Sequence, residues 1–366
     1  LAIIGLNKED AEYMITVAEA VEAAADLKCN LPAAWPNYIC EAANLSEGEL
    51  AEERGNRGNH GFSDEISADG VGIISQYAED YLSDQWYHEV IGSELAWNAG
   101  YTGQGVTVAV ISSGIDTGCD IDISKLSYRN STANTDSMGK GSHTSTIIAG
   151  TANNNVGGCG IAYGIEKLFI TNVYDSNRKT TDADIYTAIY DATNNRVDII
   201  YLDYYSDSYS EQVEDAIERA YDMGCVVICA AGDYASNSIS YPSAYEHTVA
   251  VAAVDKNNAK AYMTNYGKHI RYSAPGVDIW SSVGNNSRGE WNGSDRAAAI
   301  VAAEAAVILS SGKITSYGSD KVEDLLKLMD KSCEKVSGSG MGKGIPTLTK
   351  ALNLSIPTKK PDKPVF

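Results

Sequence analysis

Basic residues are scarce in this chain. It has 28 Lys and Arg against 49 Asp and Glu, a formal net charge of −21 over 366 residues. A field of that sign repels phosphate backbones and anionic lipid, which argues against binding to nucleic acid or to a membrane surface. Long apolar runs are missing too: no uninterrupted stretch reaches the roughly 18 residues that a bilayer-spanning helix needs. Phe is nearly absent, 3 residues against 23 Tyr, and nothing in the sequence supplies a reason. The chain opens on Leu1 and shows no secretory leader, so any export signal has been removed or lies outside these residues. The seven cysteines are odd in number, which leaves at least one outside any intrachain bridge. Cys225 and Cys229 share one strand-like run, where four residues of strand hold them about 13 Å apart, too far to bridge. Cys29 and Cys40 flank a short segment and can close a small loop, while buried thiols are the plainer expectation for the set.

What is present is an ordinary globular composition, 44% hydrophobic and 21% charged. The length suits two domains, or one large α/β domain with an appendage. In the first eighty-odd residues LAIIGL reads as a strand, Lys8–Asp26 as a helix, Leu45–Gly61 as a polar loop and Gly70–Tyr77 as a strand. From about Ser83 the pattern changes to strict alternation. Val106–Ile111, Lys167–Val173, Val197–Leu202, Cys225–Ala231 and Val249–Val254 are short, β-branched and apolar on both faces, as interior strands of a covered parallel sheet are. Helical patterns fall between them at His143–Gly150, Asp182–Asn194, Ser210–Met223 and Arg296–Ser311, which predicts a doubly wound α/β fold. Ile356–Phe366, with its Pro and Lys, reads as a linker or irregular end.

A set of motifs in fixed order carries a family resemblance: YAEDYLSDQWYHEVIGSELAWNAGYTGQGVTVAVISSGID, GSHTSTIIAGTANNNVGGCGIA, CAAGD, YPSAYEHTVAVAAVD, SAPGVDIW, NGSDRAAAIVAAEAAVIL and GMGKGIPTLTKAL. From about Tyr77 to Leu352 the chain resembles the subtilisin-like serine proteases (peptidase family S8). The resemblance implies a subtilisin-like, mostly parallel sheet with helices on both faces over residues 83–352. It also implies a small α+β prodomain over 1–82 and a tail over 353–366. A secreted or cell-surface location, a cis Tyr241-Pro242 bond and a calcium loop at Asn153–Gly158 belong to the same expectation. For the calcium, the implied ligands are Asp122, Asn154, Val156 and Gly158, although Ile121 falls on the family's Asp position; a Cys119–Cys159 disulfide is the alternative at the same place.

The same alignment shows where the chemistry departs. Ser112 stands at the family's catalytic Asp, Lys140 at its His, Asp295 at its nucleophilic Ser and Asp233 at its oxyanion-hole Asn, while His143 falls on a second, structural His. A carboxylate at 295 has no hydroxyl to offer and repels a developing oxyanion. A charged Lys140 cannot accept a proton, its ordinary pKa of about 10.4 being far from neutrality. An anion at 233 opposes a donor position worth about 10²–10³-fold in rate. The departures predict a pseudoprotease, a non-catalytic protein- or peptide-binding module, whose uncleaved segment Gln76–Ser83 runs through its own cleft. Lys140 and Asp295 are expected to form an ion pair with Ser112 beside it. Two other uses of these residues stay open: a Ser112/Lys140 dyad running altered hydrolytic chemistry, and a divalent cation on Asp203, Asp233 and Asp295. In the substrate cleft Asp203, Tyr204 and Tyr205 stand where the family has Ser-Leu-Gly, so both tyrosines are expected to crowd the pocket. Whether Tyr201, Tyr204, Tyr205 and Tyr209 make a recognition surface is open at the level of sequence.

Overall fold

The computed structural model describes residues 82–284 and 287–355. The strand and helix readings before Leu82, the Cys29–Cys40 loop and the Pro/Lys-rich tail lie outside the described residues. Seven strands make one sheet: β1 (Thr107–Ser112), β2 (Leu126–Tyr128), β3 (Lys167–Asn172), β4 (Ile199–Leu202), β5 (Val226–Ala230), β6 (Thr248–Val254) and β7 (Ile270–Pro275). Their order is β2-β3-β1-β4-β5-β6-β7, and every pairing is parallel. Strand β4 (IIYL) is buried at every residue and β6 at all but its first, the signature of strands covered on both faces. An antiparallel hairpin, β8 (Ile279–Gly284) and β9 (Ser287–Trp291), stands apart from the sheet.

Helices cover the sheet from both sides. Short α1 (Tyr87–Ile91) and α2 (Ser93–Asn98) precede β1, and α3 (Lys140–Ala149), α4 (Asp182–Asn194), α5 (Glu211–Asp222), α6 (Ser294–Ser310), α7 (Ser319–Ser332) and α8 (Leu348–Leu352) follow. Helices α4 and α5 pack on each other and on β1 and β5; α3 and α6 pack on each other and reach the same strands. A strand has two faces, so the pairs lie on opposite sides. Helix α4 starts where its sequence says it should, with Thr181 and Asp184 closing a reciprocal capping box. Helix α6 (SDRAAAIVAAEAAVILS) is buried at every residue from Ser294 to Ile308. Its alanines favour the helix and let it lie close to the sheet, and a helix apolar on all sides belongs in a core. Among the described residues no helix is long and apolar enough to cross a membrane.

The chain direction reverses around β1, which lies between β3 and β4. In open parallel sheets the crevice outside the carboxyl ends of the strands, near such a switch, is where ligands and reacting groups collect. The Tyr241-Pro242 bond is cis, as expected.

Candidate functional site

The singled-out residues meet at that edge. Strand β1 ends on Ser112, and Asp203 and Asp233 follow the ends of β4 and β5. The N-termini of α3 and α6 bring in Lys140 and the pair Asp295-Arg296. Asp203 is the hub. Ser112 Oγ donates to its Oδ2 at 2.8 Å and Lys140 Nζ to its Oδ1 at 3.1 Å, while Tyr174 OH donates to its backbone carbonyl at 2.8 Å. Lys140 Nζ lies 3.7 Å from Asp295 Oδ2, so the expected Lys140–Asp295 pair is present but is the longer of two. The nearer partner of Asp295 is its own neighbour. Arg296 Nη1 donates to Oδ2, and the Arg296 backbone N–H donates to Oδ1 at 2.9 Å. Arg296 is 2% exposed, with its guanidinium carbon 4.8 Å from the Trp291 ring centroid. Sequence reasoning passed over both Arg296 and Trp291.

Two carboxylates crowd the start of α6. Asp233 Oδ1 accepts the Ser294 N–H at 2.9 Å, and Asp295 accepts the next-but-one. The unpaired N–H groups and positive end of a helix dipole favour anions there. Gly293 makes room: a Cβ at that position would collide with Asp295 Oδ1 and lie 3.3 Å from Asp233 Oδ2. Burial raises the cost of the Asp295 charge, but Arg296 and Lys140 outweigh it and hold its pKa below the usual carboxylate value. Burial also opposes the Lys140 charge, and Asp203 and Asp295 outweigh it in turn, so the ammonium is held above its ordinary pKa. For Asp233 burial and the neighbouring Asp295 prevail and push the carboxyl up to about 6.

The two groove tyrosines part company. Successive strand side chains point to opposite faces, and only Tyr205 follows Asp203 toward the site, its ring 4.8 Å from that of Tyr234 and against Gly232. Tyr204 is buried and donates to Asp182 Oδ1 at 2.8 Å on α4, whereas Tyr205 lies beside Gly232 and Tyr234. His143 is a core residue. Its ring stacks on Trp291 at 5.0 Å and 4°, and burial lowers its pKa to about 3, which keeps it neutral.

The calcium expectation meets a loop in which the two implied side-chain ligands are already hydrogen-bonded, although Asp120 Oδ2 beside them is buried without a partner. Asp122 is exposed and accepts the Ser124 N–H at 2.9 Å; Asn154 Oδ1 accepts the Val156 N–H at 2.9 Å, and its amide nitrogen donates to Asp120 at 2.7 Å. Ile121 supplies no ligand, and Gly158 lies against the Gln85 side chain. This set does not fit a resident calcium, which wants six to eight converging oxygens. At the strand ends both oxygens of Asp203 and both of Asp295 are already engaged by Ser112, Lys140 and Arg296, and Asp233 Oδ1 by the Ser294 N–H. The Cys119–Cys159 bridge is not formed. Cys159 Sγ lies 3.5 Å from Gly160 O in a cluster with Leu82 and Trp97, while Cys119 is near Ser142 and Ser282. Of Gln76–Ser83 only the last two residues are described, and Leu82 packs in that same cluster; the others lie outside the described residues.

A seven-stranded parallel sheet with its polar constellation at the carboxyl ends of β1, β4 and β5 and the N-termini of α3 and α6 defines a doubly wound α/β protein. The subtilase family model (Peptidase S8) matches residues 103–338, and the chain belongs to that family. It is 33% identical over 262 residues to the thermostable alkaline protease of Halalkalibacterium halodurans, covering 69% of this chain and 70% of that protein. It is 32% identical over 244 residues to subtilisin BL of Lederbergia lenta, covering 66% and 89%. Among solved structures a protease of Pseudoalteromonas arctica PAMC 21717 superposes with a TM-score of 0.67 at 23% identity, over 76% of this chain and 99% of that one, a likeness of fold.

Proposed function

We propose that this chain is a non-catalytic subtilase, a pseudoprotease that works by binding a protein or peptide. One observation carries the reading: Lys140, Ser112, Asp203, Asp295 and Arg296 form a closed network of ion pairs and hydrogen bonds where the family resemblance puts the catalytic groups. Peptide hydrolysis by the family's route needs a hydroxyl nucleophile beside a base and donors for an oxyanion. Here the nucleophile position is an ion-paired carboxylate and the base position a lysine held charged. The oxyanion position is a second carboxylate, which accepts rather than donates. The Ser112/Lys140 dyad draws no support from this geometry, since the Ser112 hydroxyl donates its hydrogen bond to Asp203 and Lys140 is ion-paired to the same group.

A chain with this network does not cut itself, so the segment before Ser83 stays attached, and the family resemblance makes the outside of the cell its expected place of work. The test is the intact mass of the purified chain after prolonged incubation, beside an Asp295→Ala control, with turnover of a casein substrate measured in parallel. A single uncut species and no turnover in either protein is the expected result. Cleavage near Tyr77–Gln85, or casein turnover, in the parent but not in Asp295→Ala would overturn the reading and make Asp295 a catalytic residue.

A further inference from the structure

We propose that the tyrosine surface beside this network is a docking site for a cationic peptide segment, one presenting Arg or Lys; the inference rests on the binding role above and names the partner's chemistry. The surface is built from two loops. Between Val197 and Glu218 the sequence has no Lys, Arg or His; Asp198 and Asp203 are ion-paired to Lys321 and Lys140, and Asp207, Glu211, Glu214, Asp215 and Glu218 remain. The segment after β4 is tied to the one around the cis proline by a two-way backbone bridge, Ser206 N to Tyr241 O at 2.8 Å and Tyr241 N to Ser206 O at 2.9 Å. That bridge brings the rings together. Tyr241 and Tyr245 lie 4.7 Å apart, Tyr209 stands 5.7 and 5.9 Å from them, and Tyr205 pairs with Tyr234. Tyr209 is 52% exposed, Tyr234 37% and the nearby Ile239 65%.

Two features give this patch a sign. Tyr205 OH donates to Asp207 at 2.5 Å and Tyr209 OH to Glu214 at 2.6 Å. A phenol that donates to a carboxylate keeps more electron density in its ring, and the negative face of such a ring attracts an ammonium or guanidinium. The second feature comes from the rest of the molecule, where aromatic faces already hold cations of the chain itself: Arg219 over Tyr190 at 4.7 Å, Lys260 over Tyr266 at 3.9 Å, Arg129 over Phe169 at 5.5 Å and Arg296 over Trp291. Among the described residues no Lys or Arg stands over Tyr205, Tyr209, Tyr234, Tyr241 or Tyr245. Tyr245 is buried beneath the patch, but Tyr209 and Tyr234 present exposed rings, and Tyr205 and Tyr209 are backed by Asp207 and Glu214, which is complementary to a partner's positive charge.

The experiment measures fluorescence anisotropy of three labelled octapeptides, identical except that two central residues are Arg, norleucine or Glu. The full chain is compared with Tyr209→Ala, an exposed change read beside its melting temperature, and with Glu214→Gln. The Arg peptide is expected to bind at least about tenfold more tightly than the norleucine one, and more weakly as salt rises. Tyr209→Ala should weaken it by about three- to tenfold at unchanged melting temperature, and Glu214→Gln by less. Equal affinity for all three peptides, or unchanged binding in Tyr209→Ala, overturns the inference and leaves the binding role standing. Failure of every peptide to bind overturns it as well. Cleavage of the Arg peptide, read by mass, instead overturns the non-catalytic reading whatever the affinities.

Discussion

Helix α6 carries two buried carboxyl groups, and they are treated in opposite ways. Asp295, in its first turn, is ringed by Arg296, Lys140 and a backbone N–H, and its pKa is held low. Glu304, nine residues further along, is fully buried among the alanines with neither oxygen hydrogen-bonded, and burial alone raises its pKa well above the ordinary value. The same functional group at the same depth is therefore held toward its charged form at one end and pushed toward its neutral form in the middle. Depth sets the cost of ionisation, and partners decide whether that cost is met. The comparison also explains why the site keeps so many ions together: each makes the next one tolerable.

Removing a partner should break the comparison most visibly. Arg296→Ala leaves Asp295 with a backbone N–H and the longer Lys140 contact, and removing the nearest partner of a buried charge costs up to about 3–5 kcal/mol. Chemical denaturation should show a loss of that order. Lys140→Ala should cost less, since its side chain is 17% exposed, yet clearly more than Lys335→Ala on the surface. Equal losses for all three would mean that the network contributes no more than a surface pair. For Glu304 the sign reverses. Its pKa is raised on folding, so its contribution is fully present below the unfolded value of about 4.3 and is lost as pH rises toward the folded value, at about 1.4 kcal/mol per pH unit in that window. The stability of Glu304→Ala relative to the parent should therefore climb as pH rises from about 4.5. A difference independent of pH would show that Glu304 finds a partner after all.

How much of this can be read without coordinates depends on the kind of signal. Helix α4 was legible to the residue because its apolar period and its Thr181/Asp184 cap agree, and the interior strands were legible because burial on both faces leaves an unbroken β-branched run. Strand β7 (IRYSAP) was missed because Arg271 and Pro275 interrupt such a run, and an edge position tolerates both. The hairpin β8–β9, with its Gly and Ser, has too weak a pattern. Helix α7 is different: Val322, Leu325, Leu326 and Met329 keep helical spacing and are buried, so that signal was available. At the site, motif order singles out Ser112, Lys140, Asp233 and Asp295, and the fold brings them to one edge. Asp203 as hub was not legible, because its role depends on the direction its side chain takes at the end of β4. Arg296 was not either, because neighbours in sequence do not face each other along a regular helix, and the Asp295–Arg296 contact exists only at the irregular first turn.

Asp233 lies between the two extremes and sharpens the contrast. It has one backbone donor and a like charge nearby, and its pKa stands at about 6. Folding thus takes up a proton there, and the parent should lose stability as pH rises from about 3.9 to 6. Asn at this position keeps an oxygen for the Ser294 N–H and has nothing to ionise. Asp233→Asn should therefore be more stable than the parent at pH 7, by about 1–2 kcal/mol once solvent screening is allowed for, with the difference vanishing near pH 4. If the variant is less stable at pH 7, the carboxylate is a better partner for the α6 N-terminus than a neutral amide, and the helix dipole outweighs the repulsion from Asp295.

The smallest expected effect concerns the loop at Asn153–Gly158. A ligand that binds only the folded state stabilises it by about 2.7 kcal/mol at a hundredfold excess over its Kd, so a resident calcium would raise the melting temperature by several degrees over chelated protein. Asp122 is turned to Ser124 and Asn154 is bonded to Val156 and Asp120, so these implied side-chain ligands are engaged, while Asp120 Oδ2 is buried without a hydrogen-bond partner. Calcium at millimolar concentration should then move the transition by no more than about 1 °C relative to chelator. A shift of several degrees would mean that these side chains turn to gather a metal, and that the loop, unlike the network at the strand ends, holds its charge by recruiting a partner from solvent.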